Sequence, residues 1–113
     1  MIKLVAGGRD FTNKASLWLY LDRYILPGDS IIHGNANGVD KMAEDYAKAH
    51  KIPFEGFDPT WTFGLVGGMS RNQILAYKAE AGICFWNGKS HGTADMIARM
   101  KYEGKEIKVV YYK

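Results

Sequence analysis

One ten-residue segment, Ile31–Asp40 with the sequence IIHGNANGVD, decides how the chain folds. Its short apolar run predicts a strand, two glycines follow at Gly34 and Gly38, and a helical pattern begins at Val39. A strand that turns through glycines into a helix presents free backbone N–H groups, which together with the helix dipole favour an anion such as phosphate. The spacing matches neither G-x-G-x-x-G nor a Walker loop, so an ordinary tight strand-to-helix turn is the alternative.

Composition sets the class of protein. The 113 residues are 47% hydrophobic, which is enough for one domain over residues 1–113 with a real core. Cys84 is the single cysteine and lies in an apolar run, so we expect no disulfide, a core role for its thiol and a cytoplasmic location. Neither a signal-peptide pattern nor a membrane-length apolar run is present, and no membrane partner is expected. The net charge of +3, without a long basic run, favours anionic small ligands over nucleic acid.

Apolar periodicity predicts strands that alternate with helices along the whole chain. The strands are predicted at residues 1–6, 30–33, 52–57, 82–86 and 107–112, and the helices at 15–25, 39–50, 70–79 and 92–103. The fourth strand is apolar throughout and should lie inside the sheet, whereas Pro53 favours an edge position for the third. This alternation is typical of an α/β fold, in which helices cover both faces of a parallel sheet.

Right-handed crossovers bring every loop that follows a strand to one edge of such a sheet. Four loops meet there: residues 7–12, 34–38, 58–70 and 87–92. They carry most of the glycines together with Arg9, Arg71, Lys89, His33, His91, Trp61 and Trp86. Because ligands of open α/β sheets bind outside the carboxyl ends of the strands, this edge is the predicted binding site.

Four motifs together resemble the YspA-like branch of the SLOG superfamily. They are GGRDF at 7–11, HGNANGVD at 33–40, RN at 71–72 and NGKSHGTADM at 87–96. The resemblance implies a Rossmann-like three-layer sandwich with a mostly parallel five-stranded sheet, and a site for a nucleotide or nucleotide-derived ligand. Its wider relatives include the LOG phosphoribohydrolases, the DNA-processing protein DprA and sensors of ADP-ribose-like signals. Many YspA-like members are small proteins of bacteria or phages.

The motifs and loops together predict a set of ligand contacts. These are Gly7, Gly8, Arg9, Asp10, Gly34, Asn35, Asn37, Gly38, Asp40, Arg71, Asn72, Lys89, Ser90, Gly92 and Thr93. Each charged member also has a structural interpretation: a salt bridge for either arginine, a turn cap for Asp10, and stabilisation of the second helix for Asp40. Trp61 and Trp86 could stack on a base, although Trp86 ends a buried strand and fits a core role. The histidines lack metal-ligand spacing, so neither a metal nor a cofactor is expected.

The second glycine motif departs from the pattern of the phosphoribohydrolases. Those enzymes carry Pro-Gly-Gly-x-Gly-Thr-x-x-Glu, and alignment of Gly92-Thr93 with its Gly-Thr puts Met96 at the glutamate position. Asp95 is adjacent in sequence but on a different helix face. If the protein is an enzyme, its catalytic residues would be Asp40 and Asp95, but the resemblance leans against an enzyme.

Three functions remain open at this stage. The leading one is a binding protein for a nucleotide-derived, ADP-ribose-like ligand that senses, carries or sequesters it. The alternatives are a LOG-like nucleoside-monophosphate phosphoribohydrolase and a DprA-like nucleic-acid-associated protein. We also expect a homo-oligomer, because the aromatic residues Trp18, Tyr20 and Tyr24 of the first helix should not all reach one core.

Overall fold

A computed structural model describes residues 1–58 and 70–113. In these ranges the strands are β1 (Ile2–Gly7), β2 (Ser30–His33), β3 (Phe54–Gly56), β4 (Ala81–Trp86) and β5 (Glu106–Tyr111). The helices are α1 (Lys14–Tyr24), α2 (Val39–Ala49), α3 (Arg71–Lys78) and α4 (His91–Tyr102). Most of the predicted irregular stretch after Asp58, including Trp61, lies outside the described residues. None of the helices described is long and apolar enough to cross a membrane.

The five strands form one sheet in the order β3-β2-β1-β4-β5, and every neighbouring pair is parallel. The α/β, Rossmann-like fold class is therefore confirmed, and the sheet is wholly rather than mostly parallel. As predicted, β4 lies inside the sheet between β1 and β5, and β3 is an edge strand. β3 is shorter than predicted because it pairs only with β2, over three residues.

Alternation along the strands divides the core into two layers. Side chains on one face of the sheet, such as Val5 and Ile83, pack against α1 and α2. Side chains on the opposite face, such as Leu4 and Cys84, pack against α3 and α4. Helices therefore cover both faces, and the Cys84 thiol is buried in the second layer, where burial raises its pKa to about 12.

Side-chain caps set the starts of two helices. The Asn13 side chain accepts from the N–H of Ser16 at the start of α1, and the Ser70 hydroxyl accepts from the N–H of Gln73 at the start of α3. Each side chain satisfies one backbone N–H that the helix itself leaves unpaired.

The aromatic residues of α1 do not behave as expected. Trp18, Tyr20 and Tyr24 are all half-buried against the first core layer. Trp18 packs edge-on to Tyr46, with ring centroids 5.4 Å apart, and Tyr20 packs edge-on to Phe85. The premise that these rings could not share one core was wrong, because all three pack against the same buried cluster. The homo-oligomer stays a prediction without this support.

A buried ion pair ties the first strand to the end of α1. Lys3 Nζ lies 2.7 Å from Asp29 Oδ2, and both side chains are almost fully buried. The ammonium also donates to the Tyr24 carbonyl at the carboxyl end of α1. Although burial opposes it, the hydrogen bond from Lys3 lowers the pKa of Asp29 to about 2. The carboxylate is thus ionised wherever the protein is folded near neutral pH.

Replacement of Asp29 should strongly destabilise the protein. Asp29→Ala leaves the buried Lys3 ammonium without its counter-ion, which costs about 3–5 kcal/mol of unfolding free energy. The matched control is Asp45→Ala, because the Lys14–Asp45 pair is 3.8 Å apart and more than half exposed, so its loss costs about 0–1 kcal/mol. Urea denaturation measures both, and equal losses in the two variants would contradict the assignment.

Candidate functional site

A cleft of about 460 Å³ opens at the carboxyl edge of the sheet, where the loops after β1, β2 and β4 converge. It is lined by Ala6, Gly7, Gly8, Arg9, Asp10, Gly34, Ala36, Asp40, Arg71, Asn72, Leu75, Asn87, Ser90, Gly92, Thr93 and Met96. The strand order reverses between β1 and β4, because the chain leaves β1 toward β2 on one side and β4 lies on the other. Crevices at such a switch point are where open α/β sheets bind ligands.

The loop after β1 forms one wall and leaves no room for side chains at its glycines. The Gly8 N–H donates to the Phe85 carbonyl at 3.2 Å, and a Cβ at Gly8 would overlap the hydroxyl of Tyr112. That hydroxyl donates to Asp10 Oδ1 at 2.6 Å. Asp10 is therefore held at the cleft by a contact from beyond the end of β5, while Arg9 beside it is exposed.

The turn between β2 and α2 is built around a buried carboxylate. Asp40 is 4% exposed, and its Oδ2 accepts from the N–H groups of Gly34 and Ala36, at 3.0 and 3.2 Å. Burial raises the pKa of Asp40 to about 6, against these two hydrogen bonds and the charges of Arg71 and Arg9. Its Oδ1 is buried without a partner among the described residues. This carboxylate thus fixes the turn with one oxygen and leaves the other available.

Arg71 crosses from α3 to the same turn. Its Nη1 donates to the Gly34 carbonyl at 2.6 Å, and its Nε is buried without a partner in the described ranges. No carboxylate there lies within salt-bridge distance of it, so the structural alternative of a salt bridge is not what holds this side chain. A cation at the start of a helix opposes the dipole, so the position of Arg71 carries an electrostatic cost.

His33 and Asn35 brace the turn from behind the cleft. His33 is fully buried, and its Nδ1 accepts from the Asn35 N–H at 3.0 Å, so its proton lies on Nε2, 3.1 Å from Glu44. Burial lowers the pKa of His33, which stays neutral. The Asn35 amide donates to Asp58 and accepts from Lys41. Asn35 adopts a φ of 61°, and these contacts hold that left-handed conformation.

The opposite wall is the start of α4. Asn87 Oδ1 accepts from the N–H groups of Lys89 and Ser90, both at 2.8 Å, and Trp86 Nε1 donates to the Ser90 carbonyl. Ser90 precedes the helix but makes no side-chain cap to it. The first turn of α4, with Gly92 and Thr93 on the cleft, therefore presents N–H groups that no side-chain cap occupies. Trp86 packs against the second core layer and does not line the cleft, in agreement with its core interpretation.

Met96 aligns with the glutamate of the phosphoribohydrolase pattern, and its neighbour Asp95 points in a different direction. Met96 is almost fully buried and lines the cleft. Asp95 does not line it; its Oδ2 accepts from Arg99 Nε at 2.8 Å and Asn72 Nδ2 at 2.9 Å. Although partial burial opposes it, these bonds lower the pKa of Asp95, which makes it a weak base. Asp40 is thus the buried carboxylate at the cleft.

Most of the predicted contacts meet at the cleft. Four predicted residues do not line it: Asn35, Asn37, Gly38 and Lys89. Gly38 has a φ of +80°, and a Cβ there would lie 2.8 Å from Arg9 Cα, so its glycine serves the packing of two loops. Five lining residues were not among the predicted contacts: Ala6, Ala36, Leu75, Asn87 and Met96. Asn87 is the first residue of the motif at 87–96, and Leu75 lies one helical turn after Arg71, so both had a sequence signal.

Within the described residues, no group of three metal-ligating side chains comes together.

Comparison with known families gives one match. A sequence model described as "YAcAr: YspA, cpYpsA-related SLOG family" matches residues 1–64. The chain belongs to this SLOG family. Membership indicates a nucleotide-related ligand-binding role in general. The match includes the loops after β1 and β2, whereas Arg71 and the start of α4 lie beyond it. No curated protein and no solved structure matched the chain.

Removal of the Asp40 charge should stabilise the fold as the pH rises. The pKa of Asp40 is raised from 3.8 in the unfolded chain to about 6, so its contribution to stability is full below 3.8 and is lost as the pH rises through 6. Asp40→Asn does not undergo this loss. Its free energy of unfolding relative to that of the wild type should therefore increase by on the order of 1–3 kcal/mol between pH 4 and 7.5.

Urea denaturation at both pH values measures this difference. The control is Asp45→Asn on the exposed side of α2, which should give a constant difference from the wild type. A difference for Asp40→Asn that stays constant or shrinks as the pH rises would contradict the buried, high-pKa carboxylate.

Proposed function

We propose that the cleft binds a nucleotide-derived ligand of the ADP-ribose-like class, and that the protein senses, carries or sequesters it. The observation that carries the proposal is the convergence of two arginines, a glycine-lined floor and an uncapped helix start on one cleft. Its volume of about 460 Å³ falls in the range of roughly 300–1,000 Å³ typical of small-molecule sites.

Charge divides the cleft into two ends. At the α4 end, the first-turn N–H groups near Gly92 and Thr93 suit phosphate oxygens. At the α2 end, the buried carboxylate of Asp40 repels a phosphate. We therefore infer that the phosphates lie toward α4 and Arg9, with the uncharged part of the ligand toward Asp40.

A larger residue at Gly92 should block the ligand without unfolding the protein. A Cβ at Gly92 would meet open space, and glycine in a helix is less stable than alanine or leucine by about 0.5–1 kcal/mol. Gly92→Leu should therefore keep or raise the melting temperature while weakening nucleotide affinity at least about tenfold, or 1.4 kcal/mol. Calorimetry with AMP, ADP and ADP-ribose measures the affinity.

The matched control for this variant is Ala98→Leu, which adds a similar side chain at an exposed position of α4 away from the cleft. It should bind like the wild type. Unchanged affinity in Gly92→Leu would remove the start of α4 from the site. Failure of the wild type to bind any of the three probes, with no nucleotide found by mass spectrometry of natively purified protein, would contradict the nucleotide proposal.

A second candidate, N-glycosidic hydrolysis of nucleoside monophosphates, rests on Asp40 alone. Such a reaction needs a carboxylate to activate water or to stabilise an oxocarbenium-like state. Asp40 is buried at the cleft, and its pKa near 6 suits proton transfer close to neutral pH. Met96 occupies the position from which the related hydrolases supply their glutamate and can do neither task.

We expect binding without turnover. Prolonged incubation of concentrated protein with AMP, GMP and CMP should release no free base on chromatography, because no carboxylate follows the Gly-Thr pair at the required position. Release of base that is lost in Asp40→Asn and retained in Asp95→Asn would overturn this expectation and favour the hydrolase.

A further inference from the structure

Two unpaired polar atoms lie in the same cleft. Buried side-chain atoms without a partner within the described ranges are Trp18 Nε1, Tyr24 Oη, Asp40 Oδ1 and Arg71 Nε. Only the last two belong to residues that line the cleft. A buried donor or acceptor that stays unpaired costs about 1–3 kcal/mol. Such a pair at a binding site therefore indicates what the ligand must provide.

Arg71 Nε and the carboxylate of Asp40 both lie close to a single backbone position, Gly34. A Cβ built on Gly34 would lie 3.0 Å from both Arg71 Nε and Asp40 Oδ2. Each side chain is locked by a second contact with the turn: Arg71 Nη1 bonds the Gly34 carbonyl, and Asp40 Oδ2 bonds two N–H groups. In the described part of the chain the two do not form a salt bridge with each other. They remain separate, fixed groups beside Gly34.

The chemistry of the missing partner follows from this arrangement. A phosphate oxygen would satisfy Arg71 and be repelled by Asp40, and an ammonium would satisfy Asp40 and be repelled by Arg71. A hydroxyl accepts one hydrogen bond and donates another, so it can satisfy both groups at once. The uncharged, hydroxyl-bearing part of a nucleotide is its ribose.

We propose that Asp40 and Arg71 together recognise a ribose hydroxyl, so that the site selects ribonucleotide-type ligands over their deoxy counterparts. This inference rests on the proposed nucleotide function and adds the specificity-determining pair to it. The ribose hydroxyl donates to Asp40 Oδ1 and accepts from Arg71 Nε. The turn that holds both groups is the one that the buried carboxylate itself organises.

The test compares each of the four ribonucleoside 5′-monophosphates with its 2′-deoxy and 3′-deoxy analogues by calorimetry. Loss of one hydroxyl leaves a buried charged acceptor unpaired, so at least one deoxy series should bind about ten- to hundred-fold more weakly to the wild type. In Asp40→Asn, whose amide cannot accept from the hydroxyl if its oxygen keeps the two turn N–H groups, the ratio should fall below the wild-type value, because only the contact with Arg71 Nε remains. Arg71→Lys, which keeps the charge and removes Nε, should lower the ratio as well.

Two variants control for a general effect of charge. Asp45→Asn, on the exposed side of the same helix, should keep the wild-type ratio. Asp10→Asn removes the charge of the other carboxylate that lines the cleft; collapse of the ratio in Asp10→Asn but not in Asp40→Asn would overturn the assignment. Equal binding of ribo and deoxy forms by the wild type would overturn this inference and leave the nucleotide proposal standing. Binding of neither form, together with failure to bind ADP and ADP-ribose and no nucleotide found in natively purified protein, would overturn both.

Discussion

A single buried carboxylate organises the cleft at the carboxyl edge of the sheet. Asp40 accepts from the N–H groups of Gly34 and Ala36, and these two bonds shape the turn that links β2 to α2. The same turn offers the Gly34 carbonyl to Arg71, so α3 is attached to it as well. Without an acceptor at this point, two buried N–H groups would lose their partner, and such groups cost about 1–3 kcal/mol each.

This carboxylate is not in its most stable electrostatic environment. Burial raises the pKa of Asp40, which means that its charge is costly at neutral pH even with Arg71 and Arg9 nearby. A residue selected only for stability would be an amide or would carry a full complement of hydrogen bonds. Costs of this kind are concentrated at functional sites, where a ligand supplies the missing contact.

Other ionised carboxylates show the contrast. Asp29 is also buried, but Lys3, the N-terminal ammonium and the Leu26 N–H engage both of its oxygens, and its pKa falls to about 2. Asp95 is engaged by Arg99 and Asn72. Both have structural partners that account for them. Asp40 combines a structural task at one oxygen with a buried, unpaired second oxygen at a cleft, and this combination distinguishes it from the others.

The sequence alone determined the architecture. Apolar periodicity and turn residues predicted every described strand and helix to within a few residues, because burial on a two-layered core imposes periods that the chain must follow. Alternation of strands and helices then brought the glycine loops to one edge. The family resemblance added the expectation of a nucleotide-related ligand and the observation that Met96 stands where the phosphoribohydrolases have a glutamate.

Only the tertiary structure decided which residues of those loops line the cleft and which support it from outside. Asn35 and Gly38 belong to the glycine motif yet support the turn from outside the cleft, and Trp18 joins the core instead of a free surface. Sequence spacing could not separate the roles of Asp40 and Asp95, because both are carboxylates near the start of a helix. Burial and hydrogen-bond partners made the difference, and these depend on which residues distant in sequence come to lie around each side chain.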